Sequence, residues 1–303
     1  MRKEFNLILA LMVALFAGTL KSYGQKKDRD AFLEVRLSDK NPFVDERIMY
    51  EVVLVTNDPN VAGTELVRNP EMEDFTAKRA SRDQRLAVSE KHGKNYYEVV
   101  IDRVYARGKT SGNHVIKGGE YRVGFNIKQL YSDPFWGNYY DNKVEIETLA
   151  SPDVKVKVSA LPSKNKPSDF SGAIGDFKIQ PRLPEGNIYS GEEAVIYFVI
   201  TGDGDLSETA LPDVKSAFGK GLTLRSVSEE HKNYITKGVP QSQLEIECIF
   251  VPETEGDFEI GKINFEFFNP KTGKYTSVES SPVKIEVVNM LTKRTKPSKS
   301  YDI

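Results

Sequence analysis

A single cysteine among 303 residues excludes an internal disulfide, so the fold rests on its apolar cores alone. Histidine is as scarce: His92, His114 and His231 are the three in the chain, and their separations match no zinc pattern. All three lie in polar surroundings that read as exposed surface. Neither a Gly-x-Ser-x-Gly turn nor a phosphate-binding loop occurs. Ser171-Gly172 resembles a nucleophile turn only in passing, since no histidine stands in a partner context. Charge of one sign is also lacking. A formal net charge of −2 removes any global pull toward nucleic acid or an anionic membrane. These absences lead us to expect no catalytic residue, no metal and no cofactor, and a protein that is not an enzyme.

Long hydrophobic runs are missing beyond the N-terminus. There, Arg2 and Lys3 precede an apolar stretch from Leu7 to Leu20, and Ser22-Tyr23-Gly24 offers a small-residue exit before Gln25. A charged start, a short apolar core and small residues make a secretory signal peptide, with cleavage after Gly24. At about 14 residues the run is short for a stable span, although an uncleaved anchor is the alternative. No cysteine follows it, so no lipoprotein anchor is expected. The mature chain is expected to be exported and not membrane-spanning.

What is present is period-two alternation. Leu33, Val35 and Leu37 alternate with polar residues, as do Val154, Val156 and Val158, and the pattern returns at Phe177-Lys178-Ile179, Phe258-Glu259-Ile260 and Val283 to Val287. Each reads as a half-buried strand. Turn signals separate them, including Asn57-Asp58-Pro59-Asn60, Lys117-Gly118-Gly119-Glu120 and Asn269-Pro270-Lys271-Thr272-Gly273. Cys248 alternates with Ile246 and Phe250, which predicts a buried thiol acting as a small hydrophobe.

The chain also repeats itself. Asn41 to Thr56 can be laid over Asn187 to Gly202; in both, a polar turn ending in Asp-Glu or Gly-Glu launches an alternating strand. The expected fold is all-β, with two tandem immunoglobulin-like antiparallel β-sandwich domains joined by a short Pro-containing linker. The expected segments are a signal peptide at 1–24, a first sandwich at 25–160, a linker at 161–170, a second sandwich at 171–289 and a basic disordered tail at 290–303. The halves are unequal. Between Tyr105 and Lys143 the first carries extra chain, expected to be part strand and part long loop.

Two stretches are candidate sites. Asp203-Gly204-Asp205 places two carboxylates near Ser207 and Glu208, a calcium-like grouping, but Glu208 stands where an EF-hand loop needs glycine. A hairpin turn using Gly202 and Gly204 for positive φ accounts better for the same residues. The second stretch crowds Phe135, Trp136, Tyr139 and Tyr140 between the turn-formers Asp133-Pro134 and Gly137-Asn138. Aromatic rings of this kind are enriched in protein interfaces, so Asp133, Pro134, Phe135, Trp136, Tyr139 and Tyr140 are the candidate partner-binding residues. A structural plug, with the rings folded back on the module edge or the second domain, is the alternative.

The same stretch carries a family resemblance. Asp133-Pro134-Phe135-Trp136-Gly137-Asn138-Tyr139-Tyr140 is similar to the Asp-Pro-Phe-Phe-Asp-Asp-Phe-Phe run of the BatD family of oxygen-tolerance (Bacteroides aerotolerance) proteins. So is the linker from Leu161-Pro162 through Phe170-Ser171-Gly172-Ala173-Ile174-Gly175-Asp176-Phe177. Val251-Pro252, Gly256 to Ile260 and Phe267 to Tyr275 add to it. The resemblance implies a signal peptide, tandem immunoglobulin-like domains and usually a later membrane anchor. It also implies a non-enzymatic periplasmic scaffold, working in aerotolerance or envelope stress with von Willebrand A-domain membrane proteins, other Bat-type proteins and a MoxR-type ATPase. After Val288 only the basic tail follows, so the chain reads as a short, anchorless member or a sequence that stops before the anchor. A carbohydrate- or calcium-binding β-sandwich of the cell envelope, its rings serving as a sugar platform, is the opposing functional class.

Overall fold

The alternating segments become strands. A computed structural model describes residues 29–80, 87–91, 93–133, 135, 137–236 and 239–289. The expected signal peptide and basic tail lie outside the described residues, as do His92, Pro134 and Trp136. Ten strands occupy the first half: β1 (Ala31–Leu37), β2 (Arg47–Thr56), β3 (Val61–Arg68), β4 (Phe75–Arg79), β5 (Ala87–Lys91), β6 (Lys94–Gly108), β7 (Gly112–Ile116), β8 (Glu120–Asp133), β9 (Gly137–Ala150) and β10 (Val154–Val158). The second half holds β11 (Phe177–Arg182), β12 (Ile188–Tyr189), β13 (Ala194–Gly202), β14 (Leu222–Thr236), β15 (Val239–Pro252), β16 (Gly256–Ile260), β17 (Asn264–Asn269), β18 (Lys274–Glu279) and β19 (Val283–Val288). The helical element among the described residues is one 3-10 turn, Lys215–Ala217.

Each half closes its own core. In the first, β1-β2-β6-β4 packs against β3-β8-β9 and the β7–β10 pair, burying Ile48, Leu54, Ile101, Val123, Phe125 and Val156 among others. In the second, β11-β13-β15-β14 packs against β12-β19-β16 and the β17–β18 hairpin around Phe177, Phe198, Ile246, Phe250 and Phe265. Both four-strand paths follow the A-B-E-D order of immunoglobulin-type sandwiches.

The repeat read from the sequence is matched bond for bond. Asp45 and Gly191 occupy equivalent positions, and both adopt left-handed backbone, with φ of 62° and 77°. The Val44 N–H reaches Ser159 O at 2.8 Å, as Ser190 reaches Val288 O at 3.1 Å. Asp45 donates to Gly108 O at 3.0 Å, as Gly191 donates to Pro252 O at 2.8 Å. Finally, Glu46 donates to Phe43 O and Glu192 to Tyr189 O. Aspartate tolerates the left-handed region better than most residues, which lets the two turns match without sharing a glycine.

The linker is held down. Tyr275 donates its hydroxyl to Pro162 O at 2.8 Å and packs edge-on against Phe170. Downstream, Ser171 Oγ donates to Glu266 O, and the N–H of Gly175 reaches Phe268 O at 2.9 Å. The hydroxyl that resembled a nucleophile is thus spent on seating the linker beside β17.

Candidate functional site

The extra chain of the first half is a hairpin rather than a long loop. β8 and β9 each run 14 residues, against six for β17 and β18 at the corresponding place. Their pairing is unbroken from Glu120↔Ala150 to Asp133↔Gly137. The sequence understates this because the outer part of the hairpin is wet on both faces, so Asn126, Lys128, Asp141 and Lys143 interrupt the apolar alternation on which a half-buried strand is recognised.

The base of the hairpin is anchored. Tyr121, Val123 and Phe125 fill the first core, and the Tyr121 hydroxyl donates to the buried Asp102 carboxylate at 2.8 Å. Arg29 lies over the Phe125 ring at 4.1 Å and joins Glu147 at 2.6 Å, Glu145 at 2.9 Å and Asp58 at 3.3 Å. These contacts fix β9 to the start of β1.

Beyond this base the hairpin leaves the sandwich. β3 pairs with β8 only as far as Phe125, with one further tie from the Asn126 N–H to Asn60 O at 2.8 Å. The seven pairs from Ile127↔Lys143 to Asp133↔Gly137 therefore form a two-stranded arm. At a rise of about 3.4 Å per residue the arm is roughly 20 Å long. At its end the Asp133 carboxylate accepts the Phe135 N–H at 2.7 Å, and Gly137 takes the left-handed φ of 77° that closes the turn.

The candidate aromatic residues sit on this arm. Phe135 is 94% exposed and Tyr140 69% exposed, and Tyr139, also exposed, stacks on its cross-strand partner Tyr131 at 5.6 Å. These rings are not folded back as a plug on either core. Asp133 shapes the turn, while Pro134 and Trp136 lie outside the described residues. A two-stranded hairpin is marginal by itself, and apolar rings held in water at its tip are surface that a partner can dry.

A second constellation, unmarked in the sequence, joins the two halves. Arg47 opens β2 and is buried; its guanidinium donates to Asn233 Oδ1 and Ser242 Oγ, both at 2.8 Å, and to Asp203 O at 2.9 Å. Arg107 meets Glu208 at 2.9 Å and Asp205 at 3.6 Å, and the Phe43 and Phe268 rings touch edge to face at 4.8 Å. Beside this clasp lies a cavity of about 350 Å³ lined by residues of both halves, among them Asp39, Glu46, Asp203 and Lys271. Glu46 accepts the Phe43 N–H at 2.8 Å. Burial pushes its carboxyl up to about 7, with nearby Asp39 and Asp203 pushing the same way and the Phe43 hydrogen bond opposing.

The remaining sequence candidates are structural. Gly202 and Gly204 do not adopt positive φ and do not form a hairpin turn. They are needed for space: a Cβ on Gly204 would stand 2.0 Å from Ile174 O, and one on Gly202 would stand 2.3 Å from Asp176 O. Asp203 receives Lys271 at 2.7 Å, while Asp205 caps the Ser207 N–H at 3.0 Å. No group of three or more His, Cys, Asp or Glu side chains converges among the described residues. His114 is not a surface histidine: it packs edge-on against Phe75 and reaches Asp74 at 3.0 Å and Thr110 O at 2.9 Å. Cys248 is fully buried between Ile246 and Phe250, and burial pushes its thiol up to about 11.

No curated protein matches the chain. Residues 182–287, from the end of β11 into β19, match the family model described as BatD DUF11 like domain. This span holds the central strands of the second core, so the resemblance read from the sequence is carried by the part of the chain that forms a complete sandwich. By that domain the chain is a member of the BatD family.

Proposed function

We propose that the chain is a non-enzymatic interaction module of the bacterial envelope, exported to the periplasm, and that the β8–β9 arm is its docking element. The BatD domain supports the coarser part of this reading, an aerotolerance-related envelope protein. The observation that carries the finer part is the arm itself, a rooted hairpin that leaves its sandwich and presents Phe135, Tyr139 and Tyr140 to solvent. Amphipathic rings on a short, rooted arm supply large contact area at low entropic cost. The linker bonds and the Arg47 clasp support a scaffold role, since they tie the halves together and let force or position at the arm be felt in the second half.

The partners that suit this reading are the von Willebrand A-domain membrane proteins and other Bat-type proteins, acting with a MoxR-type ATPase. Co-purification from membranes under mild detergent tests it. Recovery of a von Willebrand A-domain protein with the full chain is the expected result, and failure to recover any such protein contradicts it. Saturable binding of envelope glycans to the arm instead would move the assignment to the carbohydrate-binding class.

A further inference from the structure

We propose that the free edge of β9 pairs antiparallel with β9 of a second copy of this chain, about a two-fold axis at Asn142. The inference goes beyond the docking role and does not depend on it. β9 is a 14-residue edge strand whose strand partner among the described residues is β8 alone. Edges of this length are ordinarily blunted by proline, bulges or a dense row of charge. Here the strand contains no proline, its ladder with β8 has no register shift, and one face exposes Tyr140, Val144 and Ile146. The other long edge, β14, is protected in the ordinary way by exposed Arg225, Glu229, Glu230 and Lys232.

The sequence of β9 selects both the occupant and the register. A two-fold axis perpendicular to a sheet must place one residue opposite its own copy, so only a few registers exist. With the axis at Asn142, Tyr140 stands opposite the partner's Val144 on one face, and Asp141 stands opposite the partner's Lys143 on the other. Symmetry makes each pair twice. Aromatic with β-branched, and acid with base, are favourable cross-strand pairs. Moving the axis to Asp141 sets that carboxylate against itself, and moving it to Lys143 opposes two lysines and sets Asp141 against the partner's Glu145. At Val144, Asp141 meets the partner's Glu147. Among these neighbouring axes only Asn142 brings no like charges face to face.

Local geometry agrees with this axis. The Asn142 N–H is held by the Asp141 carboxylate at 2.8 Å. Pairing hands that N–H to the partner's carbonyl and frees the carboxylate for the partner's Lys143. The product is a continuous six-stranded sheet, β3-β8-β9 joined to its copy, with the two aromatic tips directed to opposite ends. A dimer of this kind offers two docking arms, which raises avidity for a partner that is itself clustered in a membrane.

Charge exchange tests the register. Sedimentation of the full mature chain over a concentration series should show a concentration-dependent dimer. Asp141→Lys and Lys143→Asp should each be folded by circular dichroism and monomeric, because each opposes like charges twice. An equimolar mixture of the two should dimerise again, as should the double variant D141K/K143D. A monomer at every concentration overturns the proposal, as does a dimer that either single variant leaves intact. So does a mixture of the two singles that stays monomeric, since it restores both ion pairs only in this register.

Discussion

Replacing Glu46 by glutamine should stabilise the protein at neutral and alkaline pH and leave it unchanged in acid. The buried carboxyl at the joint between the halves has its pKa raised from 4.5 to about 7. In the folded protein it therefore keeps its proton up to about pH 7, whereas in the unfolded chain it gives it up near the ordinary glutamate value. Between those limits the folded state binds more protons than the unfolded state, so stability falls as pH rises. Below the unfolded pKa the cost is absent; above the folded pKa it is complete. The difference between 4.5 and about 7 corresponds to at most about 3 kcal/mol, a ceiling set by the full shift. The amide introduced by Glu46→Gln would retain an acceptor for the Phe43 N–H without a charge to desolvate beside Asp39 and Asp203. Urea unfolding followed by circular dichroism at a series of pH values, read as the difference between variant and parent, isolates this group from every other titration. The expected difference is near zero at about pH 4 and rises toward that ceiling by about pH 8. A flat difference, or a variant less stable than its parent in alkali, would refute the reasoning.

Other outcomes follow from the packing. Gly204→Ala forces a Cβ to within 2.0 Å of Ile174 O and should cost about 1–3 kcal/mol or more in denaturant unfolding. Gly219→Ala, with nothing within 4 Å and no positive φ, should be neutral within about 1 kcal/mol; equal effects at the two glycines would contradict the close-packing account. Cys248 is buried with its thiol pushed up to about 11, so alkylation in the native state should proceed only through unfolding. Labelling that is fast in water and insensitive to low urea would show that the strand opens far more readily than its packing implies.

Much of the fold was legible because strands with one wet face write their burial into every second residue. Val154 to Val158 and Ile246 to Phe250 are read correctly for that reason. The repeat was legible because both halves need the same left-handed turn before their second strand, supplied by Asp45 in one and Gly191 in the other. The arm was only half legible. Its aromatic tip stood out, but its strands did not, since a hairpin wet on both faces carries no alternation to follow. Glu46 and Arg47 were not legible at all. Arg47 is buried by Asn233 and Ser242, which lie 186 and 195 residues away, and nothing local to Glu46-Arg47 signals that the other half covers it. Gly204 was misread for a related reason: its constraint comes from the approach of Ile174 and Phe177, not from its own backbone angles.

The central claim is that the β8–β9 arm carries the partner contact. It is tested most directly by replacing Phe135, Tyr139 and Tyr140 together with serine and measuring binding to a purified von Willebrand A-domain partner beside the parent chain. Because these rings are exposed and belong to neither core, the variant should unfold at the parent's denaturant midpoint while its binding is lost. Undiminished binding by the folded variant would contradict the account.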